Sequence, residues 1–333
     1  MGSTDALGSP DRLELGYWLS SEEHPPNALV DHAARAEQAG FGTAMISDHI
    51  APWIPVQGNS AFVWSVLGGI ANATSTLRVG TGVTAPVHRM HPLVIAHAAA
   101  TVEVMMPGRF FLGLGTGERL NEHVMGERWP TGKERRAMLR EAIGLIRDLW
   151  SGKTVSRRGT YFTVEQAELF TRPDTPPPIV VAASGKRAAK IAGEEADGLV
   201  GVAPDAAIVD AFEAAGGTGK PRLAQVHLCW AESECEARKT ATRWWPNAAI
   251  PSSLLGELAT PSQFAAAAEQ VTADMVAQHV VYGPDVERHA AAIRRMVAAG
   301  YTTVYLHQVG PDQHGFLEFC QRELLPRFAR DEP

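Results

Sequence analysis

Hydrophobic positions along the chain gather into short continuous runs rather than alternating with polar ones. Such runs occupy 13–20, 43–50, 77–85, 110–117, 178–185, 197–203, 223–231 and 302–309. A run of this length, bounded by turn residues, predicts a strand buried on both faces. Between most of them the apolar spacing changes to a helical period. Residues 27–40 are Ala-rich and end at Gly40, a residue suited to closing a helix. Residues 91–106 carry Pro92 at a tolerated early position and stop before Pro107-Gly108. Residues 133–150 place Met138, Ala142, Leu145, Ile146 and Leu149 on one stripe and stop at Ser151-Gly152. Two more helices are predicted at 284–299, ending at Gly300, and at 311–330. Strands covered on both faces, each followed by a helix, predict a closed (β/α)8 barrel in preference to a doubly wound sheet.

Two segments break this rhythm. Residues 151–178 hold a strand-like stretch at 159–164, followed by Pro173 and Pro176-Pro177-Pro178. Residues 231–279 hold helix-like stretches at 232–244 and 261–270. The expectation is one barrel domain over 13–330, both insertions lying near or over its active site and the second capping the substrate. Residues 1–12 read as a disordered lead-in.

Composition narrows the function. The chain has 333 residues, 45% of them hydrophobic. A chain of this size buries about three quarters of its unfolded surface, so it needs no disulfide or metal staple. The 30 Lys and Arg and 37 Asp and Glu are interspersed, which argues against a nucleic-acid partner. Cys229, Cys235 and Cys320 are odd in number and lack metal-binding or disulfide spacing, so no metal is expected and a reducing cytoplasm fits. No apolar run approaches the ~18 residues of a membrane span.

In a barrel of this kind, chemistry sits at the C-terminal ends of the strands. The second run ends in Ser47-Asp48-His49, followed by Trp53. The third ends in Gly80-Thr81-Gly82-Val83-Thr84, the fourth in Gly115-Thr116-Gly117-Glu118 with Asn121-Glu122 beyond, and the fifth in Ala183-Ser184-Gly185-Lys186-Arg187. Singly these have plain structural roles. A histidine after a strand is more often a hydrogen-bonded fixture than a catalyst, Asp48 suits a turn, and Glu118 suits a helix start. Together, His49, Glu118 and Trp53 are the parts of a general acid/base site beside an aromatic wall. Other motifs fail. Gly113-Leu114-Gly115-Thr116-Gly117 lacks the last glycine of a dinucleotide loop, and Gly217-Thr218-Gly219-Lys220 lacks the frame of a phosphate loop.

The Ser-Asp-His…Trp run with Gly-Thr-Gly-Glu-x-x-Asn-Glu resembles the bacterial-luciferase-like flavin and deazaflavin oxidoreductases. Within them it is similar to the branch typified by coenzyme F420-dependent glucose-6-phosphate dehydrogenase. The resemblance runs from about Leu13 to Leu325-Pro326-Arg327. It implies coenzyme F420 as cofactor, a homodimer, and hydride transfer to or from an alcohol or carbonyl substrate. Catalysis would fall to His49, Glu118 and Trp53. The cofactor would be held by Asp48, Gly82, Val83, Thr84, Thr116, Gly117, Asn121, Ala183, Ser184, Lys186 and Arg187, with a non-prolyl cis peptide at Gly82-Val83. The sugar-phosphate enzymes grip phosphate with one Thr and three cations. Those positions fall here on Val202, Asp205, Ala277 and Ala292 (with Arg294 near the last), so glucose 6-phosphate is not the expected substrate. Trp53, Val202, Asp205 and Trp230 would border a more apolar pocket. Three alternatives stay open: an FMN-dependent monooxygenase on the same barrel, a reduced-F420-dependent reductase of an activated alkene, imine or aromatic ring, and a non-catalytic carrier.

Overall fold

Eight parallel strands close on themselves in the computed structural model, which describes residues 5–329. The barrel takes its staves in the order β1 (Glu14–Leu19), β2 (Thr43–Ile46), β3 (Arg78–Thr81), β4 (Phe110–Leu114), β7 (Ile179–Ala182), β8 (Gly198–Gly201), β9 (Arg222–Cys229) and β11 (Thr303–Gln308). Each falls inside one of the eight apolar runs except β9, which begins one residue before its run. The pairing of β11 with β1, Glu14 opposite Thr303, closes the ring. The outer layer is α1 (Pro26–Gln38), α2 (Val63–Ala73), α3 (Pro92–Met105), α5 (Gly132–Trp150), α6 (Lys186–Glu195), α7 (Ala206–Phe212), α12 (Val286–Ala298) and α13 (Gln313–Phe319). The last is shorter than the predicted 311–330. It passes into tighter and looser turns from Cys320 to Arg327, and residue 330 lies outside the described part.

Alternation along the strands sorts side chains into two cores. Trp18, Met45, Phe111, Val180, Val200, Leu223 and Tyr305 fill the barrel interior. Their sequence neighbours, such as Leu19, Ile46, Leu112, Val181, Leu199, Ala224 and Leu306, face the helices. Ala6 and Leu7 join the interior cluster. They close the barrel below its strands, which corrects the expectation of a disordered lead-in for residues 5–12. An open barrel bottom would leave those apolar side chains wet, and two small apolar residues suffice to cover it. Residues 1–4 of that lead-in lie outside the described part.

The insertions take opposite places. Residues 151–178 form a hairpin of β5 (Val155–Arg158) and β6 (Thr163–Ala167), with the turn where the strand-like stretch was expected. The Glu141 carboxylate in α5 accepts the backbone N–H groups of Thr160, Tyr161 and Phe162, and Arg157 pairs with Asp148. The segment connects the C-terminal end of a helix to the N-terminal end of a strand. It therefore belongs to the closed end of the barrel and its flank, not to the mouth, which corrects its expected place near the active site. Residues 231–279 leave from the C-terminal end of β9 and do reach the mouth. They hold α8 (Glu234–Trp244), short turns at α9 (Ser252–Leu255) and α11 (Ala273–Val276), and α10 (Pro261–Ala267). They return through β10 (Val280–Tyr282), a ninth strand not expected from sequence, which pairs with β9 beyond the point where β8 leaves it. Phe264, Ile250, Ile54 and Leu120 pack together above the mouth. No helix of the described residues is long and apolar enough to cross a membrane.

Close strand approach makes one glycine testable. A Cβ on Gly113 would lie 1.9 Å from the backbone oxygen of Thr81, which cannot rotate away. Gly113→Ala should therefore cost about 1–3 kcal/mol of stability. Gly185→Ala, with no atom within 4 Å of the new Cβ, should stay within about 0.5 kcal/mol. Urea unfolding of both variants checks the pair.

Candidate active site

Continuing the inward positions of β2 past Met45 brings Ser47 and His49 into the mouth. The loop after β1 meets them there. Ser21 donates its backbone N–H to Ser47 Oγ at 2.8 Å, fastening the two loops. Glu22 is buried between them. Its Oε2 accepts hydrogen bonds from Ser20 Oγ (3.1 Å) and Ser47 Oγ (2.5 Å), and its Oε1 lies 3.5 Å from His49 Nε2. Burial alone would raise the Glu22 pKa. The facing His49 and the Ser47 hydroxyl outweigh it and hold the carboxyl below its ordinary range. A carboxylate thus stands behind His49. The His49 ring lies 4.9 Å from Trp53, and its Nδ1 is buried with no protein partner.

The neighbouring Asp48 faces the other way. Its Oδ1 accepts from the Arg89 guanidinium (2.8 Å) and its Oδ2 from Thr84 Oγ1 (2.7 Å), with the side chain fully buried. Asp48 thereby bonds both Thr84 and Arg89, where sequence placed Asp48 and Thr84 against the cofactor. Arg89 is held in turn at its backbone. Its N–H and that of His88 both donate to Glu122 Oε2 at 2.8 Å, and burial pushes the Glu122 carboxyl up against those bonds. Gly82 and Val83 are joined by a cis peptide bond, as expected. A Cβ on Gly82 would come 2.5 Å from Trp18, and Val83 lines the interior beside Gly115.

Glu118 opens α4 (Arg119–Glu122), after Thr116 and Gly117, and is half-buried. Asn121 joins it to the His49 loop: its Nδ2 donates to Glu118 Oε2 (3.2 Å) and its Oδ1 accepts the Ile50 N–H (3.0 Å). Ser184, Lys186 and Arg187 are exposed around Gly185, which starts α6 without a side-chain cap. Ala183 is buried against the helical layer. Val202 is exposed on the rim, whereas Asp205 caps α7 by accepting the Ala207 N–H at 3.0 Å.

Trp230 is not at the mouth. It follows Ala224, Val226 and Leu228 on the outward face of β9, and its indole stacks on Phe319 of the C-terminal helix at 5.5 Å. Strand alternation explains the correction. The residues that do wall the mouth include some that the sequence reading passed over. Trp53 packs on Phe264 (5.2 Å) and against the cluster that holds Trp245. Gln57 ties the Trp53 loop to the cap, accepting the Trp53 N–H and donating to the Trp244 carbonyl, each at 2.9 Å. The polar run Ser20-Ser21-Glu22-Glu23 was the available signal, since it ends the first strand as Ser47-Asp48-His49 ends the second.

A titratable ring backed by a buried carboxylate, at the C-terminal mouth of a barrel and under an aromatic cap, defines a barrel enzyme that handles protons on a small molecule. The chain belongs to the family described as luciferase-like monooxygenase, whose model matches residues 11–303. It is 36% identical to the F420-dependent glucose-6-phosphate dehydrogenase of Kineococcus radiotolerans, over 97% of this chain and 98% of that protein. It is 37% identical to the F420-dependent hydroxymycolic acid dehydrogenase of Mycobacterium tuberculosis, over 95% and 89%. An F420-dependent secondary alcohol dehydrogenase, solved with an F420-acetone adduct, superposes with a TM-score of 0.89 at 29% identity, over 96% of this chain and all of that one.

The depressed Glu22 pKa carries a pH signature. A carboxyl whose folded pKa lies below its unfolded value stabilises the protein above that unfolded value and stops doing so as pH falls through the folded one. Glu22→Gln should be less stable than the parent at neutral pH, and the gap should close on acidification below the carboxylate range. Chemical unfolding of both proteins across that range measures it.

Proposed function

We propose that this chain is a coenzyme F420-dependent oxidoreductase that moves hydride between the deazaflavin and an alcohol or carbonyl substrate other than glucose 6-phosphate. The observation that carries this reading is the inward-facing His49 with the Glu22 carboxylate behind it and Trp53 beside it. The residues present fit the cofactor. Lys186 and Arg187 are exposed, carry no ion pair among the described residues, and flank an uncapped helix start of ten residues, which suits its phosphate. The orphaned His49 Nδ1 leaves a polar atom for a bound molecule to satisfy. Thr116, Gly117, Asn121 and the Gly82-Val83 bulge would complete the holding groups, with Asp48 acting through Arg89 and Thr84.

When bound, the deazaflavin supplies a ring carbon that accepts or gives hydride. The chain's own residues manage the proton. In oxidation His49 takes the proton of the substrate hydroxyl, and Glu22 stabilises the resulting imidazolium. Glu118, oriented by Asn121, would supply from its carboxyl the proton that neutralises the ring once it has taken up hydride. Trp53 and the cap keep water out and press the substrate toward His49. Against a sugar phosphate stand Val202 and the carboxylate of Asp205 on the rim. The buried Cys229 and Cys320 and the exposed Cys235, all unpaired, support a cytoplasmic setting, and the family resemblance supports a homodimer, which light scattering of the eluted protein measures.

Tryptophan fluorescence should be quenched by F420 at far lower concentration than by FMN. The opposite order would move the chain to flavin-dependent oxygenation and sink this proposal. His49→Ala should lower kcat/KM by about 10²–10⁴-fold with a secondary alcohol. Its F420 affinity should change little, and a parallel loss of both would assign His49 to cofactor binding alone.

A further inference from the structure

A histidine pair lies across the mouth from His49, and neither member has a role so far. His227 of β9 continues the inward positions of Leu223, and His307 of β11 continues those of Tyr305. Their Nδ1 atoms are 2.8 Å apart. His307 Nε2 lies 2.7 Å from Glu23 Oε2, both side chains fully buried, and Glu23 Oε1 accepts the Gly310 N–H at 2.8 Å. Trp245 of the cap covers both rings, at 4.5 Å from His307 and 5.4 Å from His227. Of Glu23, His307, Trp245 and His227 only His227 is part-exposed, and an inward ring near the C-terminal end of a barrel strand is exposed toward the mouth. Its Nε2 has no hydrogen-bond partner among the described residues.

The donor and acceptor roles follow in order. A carboxylate has no proton to give, so His307 carries its proton on Nε2 and presents a lone pair at Nδ1. His227 must then donate from Nδ1, which leaves its Nε2 as a bare lone pair facing the mouth. We propose that His227 is the specificity-determining residue of this site, a hydrogen-bond acceptor locked in one tautomer by Glu23 and His307, which selects uncharged substrates bearing a second hydroxyl or N–H besides the reacting hydroxyl. The proposal rests on the alcohol-oxidising reading above and names its substrate class. Glu23 and His307 are positioning residues. Burial of most of the ring holds the His227 pKa well below its ordinary value, so the acceptor persists and an anionic substrate group meets a lone pair rather than a cation. Adjacent glutamates therefore serve separate histidines: Glu22 backs the proton-transfer residue and Glu23 sets the recognition residue.

Glu23→Gln tests the lock. The Gly310 N–H retains the amide oxygen, so the amide nitrogen must donate to His307 Nε2. Each ring then reverses, and His227 presents N–H to the mouth. Nitrogen NMR of isotope-labelled histidines, with His227→Gln for assignment, should find His227 protonated at Nδ1 in the parent and at Nε2 in the variant. A parent His227 protonated at Nε2, or a His307 protonated on both nitrogens, overturns the proposal, and this measurement needs no substrate. With the F420-loaded enzyme, a vicinal cyclohexanediol should exceed its monomethyl ether in kcat/KM by about tenfold or more. Glu23→Gln should erase that preference while plain cyclohexanol changes little. Equal turnover of diol and ether by the parent overturns the inference alone. Turnover of none of the three overturns the alcohol-oxidising reading and the substrate class with it, while the tautomer still decides the lock.

Discussion

A side chain on a strand of a closed barrel can face only the interior or the helices, and every functional statement about this protein depends on that alternation. Met45 in the interior sends Ser47 and His49 into the mouth and Asp48 out of it. Leu223 in the interior sends His227 inward and Trp230 outward. The same parity that packs Trp18, Phe111 and Tyr305 into a dry core therefore decides which polar residues can reach a bound molecule. Polar groups admitted to that space are expensive to leave unpaired. Glu22 accordingly has two hydroxyl donors and an imidazole, and Glu23 has an imidazole and a backbone N–H.

The eight strands were legible because a strand covered on both faces has nowhere to put a polar residue, so its apolar run is unbroken. The family and candidate site residues such as His49, Glu118 and Asn121 were legible through motifs with fixed spacing. What sequence hid has physical reasons. The floor made by Ala6 and Leu7 is two small residues within a polar stretch, too short to show any period. The three residues of β10 pair with only part of one neighbour. The hairpin at 155–167 is strand-like, but its place on the flank follows from connectivity rather than composition. Trp230 was misread by residue type, although counting from Leu223 assigns its direction. Glu23 and His307 are distant in sequence, and only closure of β11 onto β1 brings them together.

Closure also explains why the loop after β1 carries both glutamates. That strand pairs with β2 on one side and β11 on the other, so its loop is the one place from which adjacent residues reach histidines of both. The carboxylates behind the proposed acid/base histidine and the proposed recognition histidine thereby share a short stretch of backbone. A change in that loop's length would displace both at once, whereas changes in the cap reshape the aromatic wall and leave the proton chemistry in place.

The floor of the barrel has a consequence for traffic. Ala6 and Leu7 sit beneath the interior core, and Phe111, Val180 and Leu223 leave no polar path upward from them. Substrate, product and exchangeable protons must then all use the mouth, past Trp53 and the cap. A product that stays behind His49 blocks the next arrival, so departure and entry are obliged to alternate through a single door.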